Sequence, residues 1–204
     1  MRKASLLCIV AAALLSSCIG IDSRLTIRDN GSGTLTLIYR VSQLVVNLGS
    51  PVDGRNVVPL PLSRADFDRS LEAADGKVRL TQFDRTEDQN DVTIRAVLAF
   101  DSLDALAQLS AFHSADIHAA ADGDNYTFSQ LIAKAPREPI TDDSLRMVDA
   151  FFGGYDLSFR VETPKPVKSN SLGTLSDDKR TLTYKTSIKD LVRAKSDVVL
   201  SMSW

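Results

Sequence analysis

The sequence predicts an α+β fold in which an antiparallel sheet, built from hairpins, carries about three helices on one face. Segments of alternating apolar and polar residues recur along the chain, as expected of strands with one buried face. Clusters of Gly, Asn and Asp separate several pairs of these segments and indicate tight turns, which require antiparallel pairing. Three other segments show helical spacing of apolar residues behind a capping residue.

The first predicted element is a hairpin. Leu25 and Ile27 alternate with polar residues, residues 29–33 form a turn cluster, and alternation resumes over residues 35–39. Residues 41–48 fit either a strand or a short helix. Residues 49–62, rich in Gly and Pro, are predicted to form a loop.

Two further hairpins and two helices follow in order. Ser63 and Asp66 have the spacing of a helix N-cap pair, and the helix is expected to end at Gly76. A second helix is predicted over residues 101–110, with Asp101 as its cap. The strand pairs predicted around these helices are 78–83 with 92–100, across the polar loop 85–91, and 115–121 with 125–132, across the turn 122–124.

The last part of the chain is predicted to add one helix and three strands. Thr141 is expected to cap the helix and Gly153-Gly154 to end it. Residues 155–161 alternate cleanly until Pro164 and Pro166, and the two final strands cover 181–188 and 197–204, separated by a helical turn at 190–194. Residues 24–204 are therefore predicted to form one domain.

The N-terminus has the features of a bacterial lipoprotein signal. Arg2 and Lys3 precede an apolar run over residues 4–15, which is shorter than the roughly 20 residues that span a bilayer. The sequence Leu15-Ser16-Ser17-Cys18 then resembles a lipobox. The resemblance implies cleavage after residue 17 and a lipid on Cys18, so residues 1–17 are a signal peptide and 18–23 a lipidated tether. No other segment approaches membrane-spanning length, so lipid is the expected anchor.

The composition excludes several kinds of site. The formal net charge is −2, which argues against a nucleic-acid partner. The two cysteines are Cys8, inside the signal peptide, and Cys18, so the mature domain has no thiol for a disulfide, a zinc site or a nucleophile. His113 and His118 are five residues apart, which does not place them on one helix face as metal ligands. We expect no metal and no cofactor.

No pattern of residues indicates an enzyme. The chain has no G-x-S-x-G segment and no phosphate-binding Gly loop, so no catalytic residues are predicted. The acidic stretches 84–91 and 122–125 could attract calcium, but neither has the spacing or the closing Glu of an EF-hand. Hairpin turns in water are the simpler interpretation of both stretches.

A basic C-terminal segment is the most distinctive charge feature. Residues 165–204 contain eight basic and four acidic side chains, whereas the rest of the mature chain is acidic. These charges are either ordinary solvated side chains or a surface that meets anionic headgroups. The candidates for contact with an anionic surface are Lys165, Lys168, Lys179 and Arg180, which fall in or beside predicted loops.

Several segments together resemble the LppM-type bacterial lipoprotein domain. They are the lipobox with the hairpin over residues 25–39, "FDSLDAL" at 100–106, "RVETPKPVKSN" at 160–170, "TLTYKTSIKDL" at 181–191 and the final strand ending in Trp204. The resemblance implies an α+β module of the cell envelope, and a link to lipid binding. Its motifs are structural and not catalytic.

The sequence thus predicts a non-catalytic envelope protein, held in the membrane by the lipid at Cys18 and facing the periplasm or the exterior. The leading hypothesis is a module that binds a lipid, a glycolipid or another apolar envelope ligand between its helices and sheet. The alternative is a structural or assembly factor that docks another envelope protein.

Lipidation at Cys18 is directly testable. Radiolabelled palmitate should enter the protein, and Cys18→Ala should abolish both labelling and membrane retention, because two or three acyl chains provide the anchoring energy. Ser17→Ala, which keeps both the thiol and a small residue before it, is the comparison variant. Equal labelling of Cys18→Ala and the natural protein would contradict the lipobox interpretation.

Overall fold

The fold is known from a computed structural model that describes residues 19–43, 46, 60–109, 117–122, 125–136, 140–152 and 156–204. The described strands are β1 (Ile19–Ile27), β2 (Gly33–Ser42), β3 (Val78–Glu87), β4 (Asp91–Phe100), β5 (Ile117–Asp122), β6 (Asn125–Ala133), β7 (Asp156–Glu162), β8 (Ser169–Asn170), β9 (Thr174–Leu175), β10 (Thr181–Ser187) and β11 (Val198–Ser203). The described α-helices are α1 (Arg64–Leu71), α2 (Leu103–Ala107), α3 (Asp142–Phe152) and α4 (Ile188–Val192). The α+β class is therefore confirmed.

Seven strands form the larger sheet, sheet A, in the order β3-β4-β2-β1-β7-β10-β9. The hairpins β1–β2 and β3–β4 are antiparallel as predicted, and β2 joins them by pairing with β4. β1 pairs in parallel with β7, with Ile21 opposite Leu157 and Thr26 opposite Glu162. This parallel pair connects the N-terminal strands to the C-terminal ones.

The remaining strands form a four-stranded sheet, sheet B, in the order β5-β6-β11-β8. The hairpin β5–β6 is the third one predicted, and β11 closes the sheet by pairing with β6 and β8. β8 belongs to sheet B and β9 to sheet A, so the segment between β7 and β10 passes from one sheet to the other and back.

One face of sheet A is buried. Its side chains join those of sheet B and helices α1 and α2 in a single apolar core, in which Leu35, Ile94, Phe128, Leu200 and Trp204 are 4% exposed or less. The opposite face, which we call the outer face, carries the alternate residues of the same strands, such as Arg24 on β1 and Arg160 on β7, and both are exposed. The period-2 alternation of each strand produces this division.

The helix caps follow the predicted chemistry with one shift. The Asp66 backbone N–H donates to Ser63 Oγ (3.2 Å), and the Asp66 carboxylate accepts from the Ser63 N–H (2.9 Å), which is a capping box. Thr141 Oγ1 accepts from the Ser144 N–H (3.2 Å), again as predicted. The second helix is capped by Ser102 and not by Asp101, whose carboxylate forms an ion pair with Arg79 (2.9 Å).

The arrangement of the sheets differs from the predicted one. The sequence predicted one antiparallel sheet, whereas the structure has two sheets and a parallel pair, because alternation indicates a buried face without indicating which sheet a strand joins. The predicted loop 85–91 is shorter, because β3 continues to Glu87. Residues 19–23, expected to be a tether, belong to β1. Within the described part of the chain, no helix is long and apolar enough to cross a membrane.

Gly33 is required by close packing at the start of β2. It lies in register with Ile27 and Phe100, and a Cβ here would overlap the Thr26 carbonyl oxygen and lie 2.5 Å from Cζ of Phe100.

We therefore expect Gly33→Ala to lower the free energy of unfolding by about 2 kcal/mol or more, since backbone must move. Chemical denaturation measures this, with Thr34→Ala, on the outer face, as a control that should cost less than about 1 kcal/mol. Equal effects of the two variants would contradict the packing argument.

Candidate functional site

The predicted lipidation site is next to the central strand of sheet A. Cys18 and the signal peptide lie outside the described residues, but β1 begins at Ile19, the following residue. β1 holds the fourth of seven positions in sheet A, between β2 and β7. Because one residue spans at most about 3.6 Å, a lipid on Cys18 would hold the domain by the start of this strand. We call this end of sheet A the anchor end.

The four predicted contact residues are brought together by backbone hydrogen bonds. Two bonds join the segments that carry them: the Thr163 N–H donates to the Arg180 carbonyl (2.8 Å) and the Val167 N–H to the Lys179 carbonyl (2.8 Å). All four side chains are exposed. We call this set the basic loop cluster, and it consists of Lys165, Lys168, Lys179 and Arg180.

The basic loop cluster also contacts sheet B. The Lys168 N–H donates to the Ser203 carbonyl (2.7 Å), and its ammonium group bonds to the Asn125 side chain. Asp178 lies within the cluster, and its pKa is lowered by hydrogen bonds from the Ser176 hydroxyl and the Arg180 N–H. Asp178 therefore stays ionised at neutral pH and reduces, without cancelling, the positive charge of the four side chains.

The cluster lies at the end of sheet A farthest from the anchor end. Glu162, the last residue of β7, is in register with Thr26 near the end of β1 and with Thr181 at the start of β10. The cluster residues follow Glu162 and precede Thr181 in the chain. At about 3.3 Å per residue, the nine residues of β1 separate the two ends by roughly 26 Å.

A small cavity lies between the two sheets. Leu25 and Phe159 of sheet A, Ile117 and Phe128 of sheet B, and Leu106 of α2 converge on this cavity, which measures about 20 Å³. That volume holds about one water molecule, whereas pockets for small organic ligands measure about 300 Å³ or more. This cavity therefore has no room for an acyl chain.

A larger depression of about 240 Å³ opens to solvent between the β1–β2 turn, the start of α2 and β5. Its polar groups already serve local structure: Asn30 Oδ1 accepts from the Ser32 N–H (3.1 Å) and Ser102 Oγ from the Ala105 N–H (3.1 Å). Tyr126, on its wall, stacks on Trp204 with ring centroids 5.7 Å apart. The side chains of Asn30 and Ser102 therefore already serve the local turn and the helix cap, which leaves the depression few polar groups to bind a ligand.

The other residues weighed from the sequence are not gathered into a site. His118 is exposed on β5, and His113 lies outside the described residues. Asp88 accepts from the Asn90 (2.8 Å) and Asp91 (2.9 Å) N–H groups, which lower its pKa and hold the β3–β4 turn. Among the described residues, no group of three His, Cys, Asp or Glu side chains could hold a metal ion.

Sequence reasoning missed a pair of arginines on the outer face. Arg24 and Arg160 are register partners on the parallel strands β1 and β7, and both are exposed. Asp22 binds Arg24 through Nε (2.9 Å) and Nη2 (3.2 Å). No described side chain bonds to the Arg160 guanidinium. Each arginine occupies a polar position in an alternating segment, but their adjacency follows only from the parallel pairing.

The hydroxyl of Thr163 fixes the geometry of the basic loop cluster. This side chain is 3% exposed, and its Oγ1 donates to the Lys165 carbonyl (2.7 Å) and lies 3.1 Å from the Arg180 carbonyl. We expect Thr163→Val to lower the free energy of unfolding by about 1–3 kcal/mol and to accelerate amide exchange at 163–168 and 179–181, because the part-buried hydrogen bond to the Lys165 carbonyl is lost. Thr163→Ser, which keeps the hydroxyl, should behave nearly like the natural protein. A Val variant as stable as the Ser variant would contradict this role.

Comparison with known proteins gives a likeness in fold. No family model matches the chain, and no curated protein matches it. The NMR structure of the folded domain of LppM from Mycobacterium tuberculosis is similar, with a TM-score of 0.52 over 93% of this chain and 92% of that chain. The two sequences are 14% identical, so the likeness shows a shared fold. The resemblance drawn from the sequence is thus supported at the level of the fold.

Proposed function

We propose that this protein is a bacterial envelope lipoprotein whose domain, held by the lipid at Cys18, binds an anionic lipid or glycolipid on its surface. The observation that carries the proposal is the basic loop cluster, in which Lys165 and Lys168 meet Lys179 and Arg180 through two backbone hydrogen bonds. Amines and guanidinium groups gathered in this way suit a phosphate or carboxylate.

The lipobox supports the envelope location. It ends at Cys18, and β1 starts at the next residue, so the folded domain follows the lipid without a spacer. The fold shared with the LppM domain agrees with the family that the sequence resembles. The anchor end of a domain tied this closely to a bilayer lies within a few ångströms of the lipid headgroups.

The small volume of the described cavity between the sheets favours a surface site over an internal one. The sequence suggested an apolar ligand between the helices and the sheet, but the described inter-sheet cavity of about 20 Å³ matches one water molecule. An anionic headgroup at the loops needs no such cavity. We therefore assign recognition to charge at the surface and propose no catalytic role, consistent with a mature chain that has no thiol and no G-x-S-x-G segment.

Vesicle flotation of a chain that begins at Ile19 tests the proposal. It should bind vesicles of phosphatidylcholine mixed with phosphatidylglycerol and hardly bind phosphatidylcholine alone, and high salt should release it. Each basic residue near an anionic surface contributes roughly 1 kcal/mol. Replacing Lys165, Lys168, Lys179 and Arg180 by Glu should therefore weaken binding by about 100-fold or more.

The matched control carries the same change of charge elsewhere. Lys134, Arg146, Arg193 and Lys195 are also exposed, and their replacement by Glu should weaken binding far less than reversal of the basic loop cluster. Equal loss in the two variants would mean that net charge, and not the cluster, drives binding. Absence of any preference for anionic vesicles would overturn the proposal and favour docking of another envelope protein.

A further inference from the structure

The position of the anchor limits how the domain can meet its membrane. A domain standing upright on the anchor end would raise the basic loop cluster about 26 Å above the headgroups, since β1 spans that distance. Electrostatic attraction fades within about 8–10 Å at physiological salt. The cluster and the anchor can therefore act on the same bilayer only if sheet A lies along the surface.

The two faces of sheet A are not equivalent in such an arrangement. The inner face is covered by sheet B and by helices α1 and α2, and Phe67 of α1 packs edge-on against Phe83 of β3 at 5.7 Å. The outer face carries the exposed side chains of six long strands. The start of β1, the residue after Cys18, lies at the anchor end of this face.

The charges of the outer face are nearly balanced. Strand alternation places six basic and five acidic residues on it: Arg24, Arg40, Arg79, Arg95, Arg160 and Lys185, with Asp22, Asp84, Asp91, Asp156 and Glu162. Arg24, Lys185 and Arg79 form ion pairs, with Asp22, with Asp156 and with Asp101 beyond the end of β4. Attraction of this face to an anionic headgroup therefore depends on the basic side chains outside these pairs, among them Arg160.

The centre of the outer face holds Arg24 and Arg160 side by side. Like charges on directly opposed residues of adjacent strands destabilise a sheet. Asp22 neutralises Arg24, but within the described part of the chain Arg160 has no acidic partner. Thr36 and Thr183 flank the two arginines in the same row across the sheet. A phosphate oxygen between the guanidinium groups would give Arg160 the anionic partner that Arg24 already has in Asp22, and it would accept from the N–H donors that remain.

We propose that sheet A lies flat on the bilayer that holds the Cys18 lipid, with Arg24 and Arg160 bound to a headgroup phosphate. The inference rests on the proposed function, because it requires the lipid anchor. It adds two things that the basic loop cluster alone does not determine: the orientation of the domain on the membrane and the residues that bind the phosphate.

The test uses the full lipidated protein in vesicles that contain phosphatidylglycerol. Single cysteines at position 36 or 201 carry a spin label, and their accessibility to a water-soluble paramagnetic nickel complex is measured. Thr36 is on the outer face beside Arg24, whereas Ser201 is on the exposed face of sheet B, and both are half-buried. Cys18 is blocked by its lipid and Cys8 is removed with the signal peptide, so each label is unique.

We expect the label of Thr36→Cys to become several-fold less accessible on vesicles than in detergent, and the label of Ser201→Cys to remain unchanged. Arg24→Gln with Arg160→Gln should restore accessibility at position 36 while the protein stays on the membrane. The control is Arg193→Gln with Lys195→Gln, which removes the same number of positive charges at positions away from this face. In this control the label at position 36 should stay protected.

The outcomes distinguish failure of the proposed orientation from failure of the proposed function. Loss of the protein from the vesicles would mean that lipid anchoring, and hence the proposed function, fails. Retained protein with equally accessible labels, or with the label at 201 protected instead, would overturn the flat orientation. Protection at position 36 that survives the double arginine substitution would overturn the assignment of the phosphate to Arg24 and Arg160.

Discussion

The parallel pairing of β1 with β7 is the constraint on which the rest of the structure depends. It brings residues 21–26 into register with residues 157–162, although more than 130 residues separate them in the chain. It makes β1 an interior strand, so its backbone is paired on both sides. Without this pair, the hairpins β1–β2 and β3–β4 would form one sheet and β7, β9 and β10 another. The apolar side chains of Leu25 and Val161 would then no longer be buried in one shared core.

This pairing also determines what the surface can do. It places the start of β1, which follows the predicted lipidation site, at one end of the central strand, and the basic loop cluster at the other. It sets Arg24 beside Arg160, which neither strand would do alone. The register of the sheet therefore decides which charged side chains are neighbours on the surface.

The segment between β7 and β10 connects the sheets and forms the cluster at the same time. β8 pairs with β11 in sheet B and β9 with β10 in sheet A, so the loop that carries Lys165 to Lys168 crosses between the layers, whereas the loop that carries Lys179 and Arg180 joins two strands of sheet A. Thr163, buried at the crossing, bonds to both loops. The hydrogen bonds of Thr163 and the basic loop cluster therefore depend on the same few residues. A substitution that destabilises this region should also disturb the arrangement of the cluster.

The sequence by itself determined the local elements, because they depend on neighbouring residues. Alternation identified the strands around Leu35 and Phe159, and the spacing of Ser63 and Asp66 identified a capping box that the structure confirms. It also indicated the four basic side chains of the basic loop cluster. Only the tertiary structure decided that there are two sheets, that β1 and β7 run in parallel, and that Arg24 meets Arg160. A strand has the same alternation whichever sheet it joins. Pairing between residues so far apart in the chain is selected by burial of the whole core, and no local sequence pattern indicates it.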